Sequence, residues 1–185
     1  ETNARRVIRN ILTADYKLGI LRYASNYDKY FKEMLDEKGL TGELVTEFHY
    51  VLLMNEKHPL AGKETISFAD LRPFIEIAHA DPYVPSLPLA TVKKEELPDD
   101  IDRRIFVFER ASQYDLLQQN PETFMWVSPA PEDTLRRYGL VQGACPENQK
   151  VYRDMLIYRK DYKLTELDQD FITELCKARR QYLNI

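Results

Sequence analysis

The stretch RIFVFERASQYDLLQQNPETFMWVS, residues 104–128, decides the class of fold. It contains two short runs, at 105–108 and 124–127, whose side chains are apolar on both faces, and such runs are typical of buried central strands. The segment ASQYDLLQQNPE between them has the spacing of a short helix, with Ser112 as its N-cap. A connection of about twelve residues is long enough for a crossover between parallel strands. The stretch therefore predicts a strand, a helix and a second strand.

The C-terminal part continues this alternation. The segment VYRDMLIYR, residues 151–159, predicts a third buried strand, and EDTLRRYG, residues 132–139, predicts a short helix before it. The final segment LTELDQDFITELCKARRQYL predicts the longest helix, because Thr165 and Asp168 have the spacing of a capping box and one face is apolar. We expect this last helix to pack on the sheet.

The first sixty residues have the apolar spacing of helices. Three segments show it, NARRVIRNILTADYK, YASNYDKYFKEMLDEKG and ELVTEFHYVLLMNEKHP, which begin at residues 3, 23 and 43. Asn3 is the expected N-cap of the first helix, and Gly39 stands where the left-handed residue after the second is expected. Pro82, Pro85 and Pro88 then predict an extended connector with polyproline character.

These patterns predict a mixed α+β fold, in which an N-terminal helical region precedes a small sheet of three or more strands. Short crossover helices connect the strands, and a C-terminal helix packs on them. The predicted divisions are a helical region at 1–80, a Pro-rich connector at 81–98 and a mixed α/β region at 99–185. The alternative is that all three regions form one compact domain, which the length of 185 residues allows.

Composition excludes several classes of protein. Thirty acidic against 26 basic residues leave a net charge of −4, which argues against a general affinity for nucleic acid. No apolar run approaches the roughly 20 residues of a membrane helix. Cys145 and Cys176 lie far apart and form neither a disulfide framework nor a zinc motif, so we expect a reducing compartment, the cytoplasm. No cofactor is predicted.

The acidic stretch LPDDIDRRIFVFER, residues 97–110, raises a catalytic alternative. A metal-dependent nuclease places carboxylates near strands to hold Mg²⁺ or Mn²⁺ and adds a lysine that steadies the attacking water or the phosphate. The residues that could take these roles are Asp99, Asp102, Glu109 and Lys163. Because Lys163 is some sixty residues from the acids, a solvated strand entrance is the favoured interpretation, and no catalytic residue is assigned.

A binding site follows from the architecture on one condition. If the predicted strands are parallel, ligands favour the crevice outside their carboxyl ends. The residues that follow the strands there are Arg110, Ser112, Ser128 and Arg159, with Lys160, Asp161 and Lys163 beyond. In an antiparallel arrangement these side chains would be scattered, and the sequence does not distinguish the two cases.

The leading functional hypothesis is a non-catalytic protein-binding or assembly module of unknown partner. It would bind another protein or form a homo-oligomer through the helical region and an exposed connector around Tyr83. The first alternative is the nuclease or another enzyme acting on phosphate-containing substrates. The second is nucleic-acid binding through the basic face of the first helix, which carries Arg5, Arg6 and Arg9. The sequence identifies neither substrate nor partner, nor whether the chain is a fragment.

Overall fold

The computed structural model describes residues 2–97, 101–108 and 112–183. Within those residues the helices are α1 (Ala4–Thr13), α2 (Asp28–Glu37), α3 (Phe68–Leu71), α4 (Leu89–Glu96), α5 (Ser112–Gln119), α6 (Glu132–Tyr138) and α7 (Glu166–Leu183). The strands are β1 (Gly19–Ala24), β2 (Leu40–His49), β3 (Val51–Asn55), β4 (Ile75–His79), β5 (Arg104–Val107), β6 (Thr123–Val127), β7 (Leu140–Gly143) and β8 (Val151–Arg159). The fold is mixed α+β with two sheets and a C-terminal helix, as predicted.

The chain forms two compact units. The first comprises Glu1–Phe48, Tyr83–Leu89 and Lys150–Ile185, and the second comprises His49–Pro82 and Ala90–Gln149. The predicted division at residues 80 and 98 stays a prediction. The content assigned to the first region was wrong, however, because residues 1–80 contain strands β1 to β4 as well as helices.

The first unit contains a three-stranded sheet in the order β1-β8-β2. Strand β1 pairs antiparallel with β8, so that Gly19 lies opposite Ile157 and Ala24 opposite Tyr152. Helix α1 begins where predicted, because the Asn3 side chain accepts a hydrogen bond from the Arg6 amide at 2.9 Å. Gly39 has a φ of 64° and ends the α2 region in the left-handed conformation.

The second unit contains a five-stranded sheet in the order β5-β4-β6-β3-β7. Strands β5, β4 and β6 are parallel, with His79 opposite Val107 and Glu76 opposite Phe124. Strand β3 is antiparallel to both β6 and β7. The predicted strand, helix and strand of residues 104–128 are therefore confirmed as β5, α5 and β6. Strand β4 lies between β5 and β6 in the sheet.

Both faces of the central strands of this five-stranded sheet are buried. On one face Leu52, Met54 and Phe124 belong to a cluster that also contains Ile66 and Leu71. On the other face Leu53, Ile77 and Met125 pack with Leu117 of α5 and Leu140. Alternate residues of one strand thus enter different clusters, as the period of two in a strand requires.

The prediction of a third helix was wrong. Residues 43–59 form most of β2, all of β3 and the turn that follows. Leu44, Val45, Phe48, Val51 and Leu52 have helical spacing, but β2 buries Thr46 and Phe48 and exposes Glu47 between them, which is the alternation of a strand. The next run, Leu52–Asn55, is buried throughout and lies in the sheet interior. Short apolar runs fit either period, and tertiary pairing decides between them.

Two other expectations for the middle of the chain were wrong. The predicted extended connector contains helix α4, and the two residues after Tyr83, Val84 and Pro85, are buried rather than exposed, with Val84 only 4% exposed. The run ending at Phe108 was expected to be a buried central strand, yet β5 is an edge strand and Phe108 is 78% exposed. Strands β1, β4 and β7 were not anticipated from their sequences.

The cap predicted for the last helix is confirmed. The Thr165 amide and hydroxyl both donate to the Asp168 carboxylate, at 2.8 and 2.7 Å, and the Asp168 amide donates back to the Thr165 hydroxyl at 3.3 Å. Ser67 and Asp70 form the same motif at the start of α3. Among the described residues, no helix is long and apolar enough to cross a membrane.

Phe124 and Phe108 provide a matched test of this arrangement. Phe124 on β6 is fully buried, whereas Phe108, just after β5, is mostly exposed. Phe124→Ala is expected to lower the free energy of unfolding by about 3–5 kcal/mol, because it removes buried apolar surface and leaves a cavity. Phe108→Ala should cost under about 0.5 kcal/mol. Urea unfolding of both variants measures the two losses, and equal losses would contradict the burial of Phe124 and the exposure of Phe108.

A charged network stabilises the first unit around Asp28, at the start of α2. Its carboxylate accepts hydrogen bonds from Arg153 on β8 at 2.8 Å, from Lys32 at 2.6 Å and from the Tyr23 hydroxyl at 3.1 Å. Burial acts to raise the pKa of Asp28, but these donors outweigh burial and hold the pKa below its usual value. Arg153 also donates to Glu47 on β2, so one guanidinium links two strands and a helix.

We expect Asp28→Asn to lower the free energy of unfolding by about 1–2 kcal/mol at neutral pH, because the charge-assisted hydrogen bonds are lost. The folded pKa is lowered, so this stabilisation is present above the unfolded pKa of about 3.8 and disappears as the pH falls through the folded value. Urea unfolding at neutral and at acidic pH measures the difference in the free energy of unfolding between wild type and variant, which should become smaller in acid. Glu33→Gln on the same helix, 59% exposed, is the control. A difference that persists in acid would contradict this account.

Candidate functional site

The carboxyl ends of three parallel strands of the second unit lie at one edge of its sheet. Strand β4 ends at His79 and continues the ladder to Ala80, whose amide donates to the Val107 carbonyl of β5 at 3.0 Å. Strand β6 ends at Val127, and Ser128 follows it. We call this region, with His79, Ser112, Gln113 and Ser128, the carboxyl edge. The condition on which the predicted binding site depended is therefore met for β5 and β6.

The connections from these strands diverge at the carboxyl edge. From β4 the chain passes through α4 to β5 on one side, whereas from β6 it passes through α6 to β7 on the other. The neighbours β4 and β6 thus flank a topological switch point. In open α/β sheets the loops separate at such a point and leave a crevice where ligands bind.

Two side chains meet at the β4 end of the carboxyl edge. The Nε2 of Gln113, in the first turn of α5, lies 3.3 Å from the Nδ1 of His79. An amide nitrogen can only donate, so Nδ1 accepts and the proton of a neutral imidazole is carried by Nε2. Gln113 is 6% exposed, and His79 is half-buried. The contact orients the imidazole and satisfies a buried amide.

The β6 side of the carboxyl edge is held by a glutamine on β7. The Gln142 side chain accepts from the Ala130 amide at 2.7 Å and donates to the Ala130 carbonyl at 3.4 Å. Pro129 and Pro131 flank Ala130 and restrict the backbone further. The loop that carries Ser128 is therefore fixed to β7 by these two hydrogen bonds as well as by its covalent link to β6.

Trp126 presents an unpaired donor close to the end of β6. Its indole Nε1 is buried and has no hydrogen-bond partner within the described structure. The ring lies on the face opposite His79, edge-on to Phe124 at 6.4 Å and to Phe68 at 6.1 Å between ring centroids. A buried N–H without an acceptor costs free energy, so an acceptor supplied from outside the chain would stabilise this region.

A buried ion pair anchors β4 to β5 below the carboxyl edge. Arg104 Nε donates to the Glu76 carboxylate at 2.7 Å, and the side chains are only 15% and 4% exposed. Because each charge compensates the other, removing either would leave the remaining charge buried without this partner. The pair explains the two charges in otherwise apolar strands.

The predicted site residues are divided between the two units. Ser112 and Ser128 lie at the carboxyl edge, Ser112 exposed and Ser128 half-buried. Arg159, at the end of β8, belongs to the first unit. It forms a bidentate ion pair with Asp161, in which Nε and Nη2 donate to the two carboxylate oxygens at 2.9 and 3.0 Å. Tyr83 also belongs to the first unit and is half-buried. Arg110 lies outside the described residues.

The nuclease constellation is also divided. Asp102 is exposed in the second unit, just before β5, and Lys163 is exposed in the first unit. Asp99 and Glu109 lie outside the described residues. Within the described ranges, no three His, Cys, Asp or Glu side chains are grouped so that they could hold a metal ion. The nuclease hypothesis, with its Mg²⁺ or Mn²⁺, stays an untested prediction.

The sequence contained a signal for His79 that was not used. The segment FIEIAHA has the alternation of a strand, and His79 and Asp81 follow it as polar residues at a strand end. Gln113 and Gln142 carry no sequence signal of their own, because only the packing of α5 on β4 and the course of the loop after β6 show their partners.

The His79–Gln113 contact can be tested directly. Gln113→Leu removes the donor to Nδ1 and is expected to lower the free energy of unfolding by about 1 kcal/mol. Nitrogen NMR of the wild-type imidazole should show an unprotonated Nδ1 and a protonated Nε2, and this preference should weaken in the variant. Gln118→Leu, at an exposed position later in α5, is the control. A wild-type Nδ1 that carries the proton would exclude the contact.

No protein-family model and no curated protein match the sequence. Solved structures match its fold. The effector-binding domain of QuiR in complex with shikimate is 16% identical with a TM-score of 0.63, and the match covers 97% of this chain and 79% of that one. The CcmR regulatory domain of Synechocystis PCC6803 in complex with 2-PG is 16% identical with a TM-score of 0.62, covering 96% and 80%.

The regulatory domain of MetR, a LysR family regulator from N. meningitidis, is a further match. It is 13% identical with a TM-score of 0.56, and the match covers 94% of this chain and 74% of that one. Identities this low establish a common fold and nothing more. The chain therefore has the fold of LysR-type effector-binding domains.

Proposed function

We propose that this chain is a non-catalytic ligand-binding domain that takes up a small polar organic molecule at the carboxyl edge of its second unit. One observation carries the proposal: three parallel strands end together at a topological switch point, and polar side chains follow two of them. This is the place where open α/β sheets bind ligands.

The donors at the carboxyl edge suit a ligand that carries hydroxyl or acidic oxygens. The hydroxyls of Ser112 and Ser128 can donate and accept, and the Nε2 of His79 carries the proton of a neutral imidazole when Nδ1 accepts from Gln113. Helix α5 runs back from this edge, so the amides of its first turn are directed there and favour an oxygen with negative charge. Trp126 Nε1, near the end of β6 on the opposite face of the sheet, is a further unpaired donor within the described residues.

The structural matches support a small molecule rather than a protein as the bound partner. Two of the matched domains, those of QuiR and CcmR, were solved in complex with shikimate and 2-PG. Both compounds belong to those proteins, but they show that this fold accommodates small ligands. The part of the original hypothesis that concerns a binding module is retained, and the partner we propose is different.

The other expectations drawn from the sequence stay predictions. Arg159 and Tyr83 belong to the first unit and are not assigned to the proposed site. Nucleic-acid binding by α1 is untested, although Arg5, Arg6 and Arg9 are all exposed. Location in the cytoplasm is likewise a prediction.

The proposal predicts thermal stabilisation by small hydroxy acids and phosphorylated acids. Shikimate and 2-PG are the first two probes, followed by a panel that varies the ring, the hydroxyls and the acidic group. A ligand present at one hundred times its Kd should raise the free energy of unfolding by about 2.7 kcal/mol. Calorimetric titration then gives the affinity of each ligand that stabilises the protein.

Matched variants locate the site. Ser128→Ala and Ser112→Ala should each weaken binding about 5-fold to 10-fold through a lost hydrogen bond. Thr91→Ala, an exposed hydroxyl on α4 in the same unit, should leave affinity unchanged. Binding that is insensitive to both serine variants would move the site away from the carboxyl edge, and a panel without any stabilising compound would overturn the proposal.

A further inference from the structure

The chain leaves β3 through a turn at residues 56–61, which we call the His58 turn. Its imidazole is buried, because His58 is only 3% exposed. The ring lies against the ring of Phe74, just before β4, with 4.4 Å between the two centroids. Leu60 and Phe74 also pack on the apolar cluster that contains Phe124. His58 therefore lies where the beginning and the end of the connection between β3 and β4 meet.

Hydrogen bonds determine which nitrogen of this imidazole carries the proton. Nδ1 accepts from the Leu60 amide at 3.0 Å, so the proton of the neutral ring is on Nε2. The backbone of His58 is held as well, because its amide donates to the Asn55 carbonyl and its carbonyl accepts from the Ala61 amide, both at 2.9 Å. The His58 turn is therefore closed around an imidazole whose Nδ1 is unprotonated.

The surroundings of the ring disfavour a second proton. Nε2 is buried and has no hydrogen-bond partner among the described residues. A neutral N–H in that position already costs free energy, and a buried positive charge without an acceptor costs considerably more. The second proton could enter only at Nδ1, where it would be directed at the Leu60 amide proton. The closed turn and a protonated His58 therefore exclude each other.

The charged residues on the elements around the imidazole do not offset its burial. They are Glu56 and Lys57 on the His58 turn, Arg72 in the connection that carries Phe74, and Glu122 in the turn before β6, and all four are exposed. The negative charge of Glu122 acts to raise the pKa of His58. Burial acts more strongly and holds this pKa below its usual value of 6.5.

We propose that His58 is an acid-sensitive latch, whose neutral imidazole holds the His58 turn closed against Phe74 and whose protonation opens the turn. When the turn opens, the Leu60 side chain leaves the apolar cluster and the imidazolium becomes solvated. The proposal is independent of ligand binding at the carboxyl edge.

The opening is local, because the residues that follow the turn have their own attachments. The Ile66 amide donates to the Ala144 carbonyl at 2.9 Å, and the Phe68 amide donates to the Glu147 carboxylate at 2.7 Å. Neither acceptor belongs to the His58 turn. Acid should therefore open the first part of the connection between β3 and β4 while its middle stays attached to the loop after β7.

Proton linkage gives the pH range of the latch. In the opened turn the imidazole is solvated and has its ordinary pKa of 6.5, whereas in the closed turn its pKa is lower. The stabilisation of the closed turn is therefore fully present above pH 6.5 and is lost as the pH falls from 6.5 toward the lower value. Uptake of one proton raises the opening equilibrium constant by up to about tenfold per pH unit in this range.

Amide hydrogen exchange of the full 185-residue chain tests the latch, followed by NMR over a series of pH values and corrected for the intrinsic pH dependence of exchange. The Leu60 and Ala61 amides donate within the His58 turn. Their protection should be constant above about pH 7 and should fall by up to about tenfold per unit below pH 6.5. The Ile66 and Phe68 amides should change little, because their acceptors lie outside the turn.

A matched pair of variants assigns the pH dependence to His58. His58→Asn removes the titrating group and keeps an acceptor, because the asparagine side-chain oxygen can accept from the Leu60 amide in place of Nδ1. The acid-induced loss of protection should disappear in this variant. His49→Asn, at an exposed position in the same unit, should retain the loss.

Circular dichroism establishes that each variant is folded. If His58→Asn does not fold, the wild-type imidazole carries the test, because its nitrogen NMR signals should stay those of a neutral ring at about pH 6, where an ordinary histidine is mostly protonated. A His58 imidazole that titrates near pH 6.5 while the Leu60 amide stays protected overturns the proposal. So does wild-type protection that is independent of pH, or a loss of protection that His58→Asn retains.

Discussion

The burial of β3 and β6 on both faces is the constraint on which the second unit depends. Leu52, Leu53 and Met54 are consecutive and completely buried, and Phe124 on the neighbouring strand is equally inaccessible. Consecutive residues of a strand point to opposite faces, so both faces need a cover. Helices α5 and α6 cover one face, and residues 60–74 with α3 cover the other. Neither cover alone would bury the strands.

The position of the carboxyl edge follows from this two-sided cover. Strands β4, β5 and β6 can be parallel only because a helical segment returns the chain to the opposite end of the sheet after each of β4 and β5. All three strands then end at one edge, where the backbone must leave the sheet and turn. Polar residues with no place in the apolar interior, such as His79 and Ser128, gather there for the same reason. The side chains suited to a ligand are thus a consequence of how the core is buried.

Sequence patterns succeeded where a single local interaction determines the structure. Asn3 and Thr165 accept from amides three residues ahead, and these caps depend on nothing outside their own helices. Apolar runs with strong amphipathic or two-faced character, those of α1, β6, β8 and α7, were identified for the same reason. The segment at 43–59 failed because a short run of Leu, Val and Phe satisfies both a helical and an extended period, and only pairing with β8, β6 and β7 selects the strand.

The sequence by itself determined the class of fold, the strand-helix-strand element at 104–128, the caps of α1 and α7, and Ser112 and Ser128 as residues that follow strands. Tertiary structure decided that β5 lies at an edge, that β4 lies between β5 and β6, and that β8 belongs to a different sheet from them. It therefore also decided that Arg159 and Lys163 belong to a different unit from Ser128, although all three follow predicted strands. The physical reason is that strand order and direction depend on hydrogen bonds between segments distant in the chain, whereas caps and apolar periods depend on neighbours within about four residues.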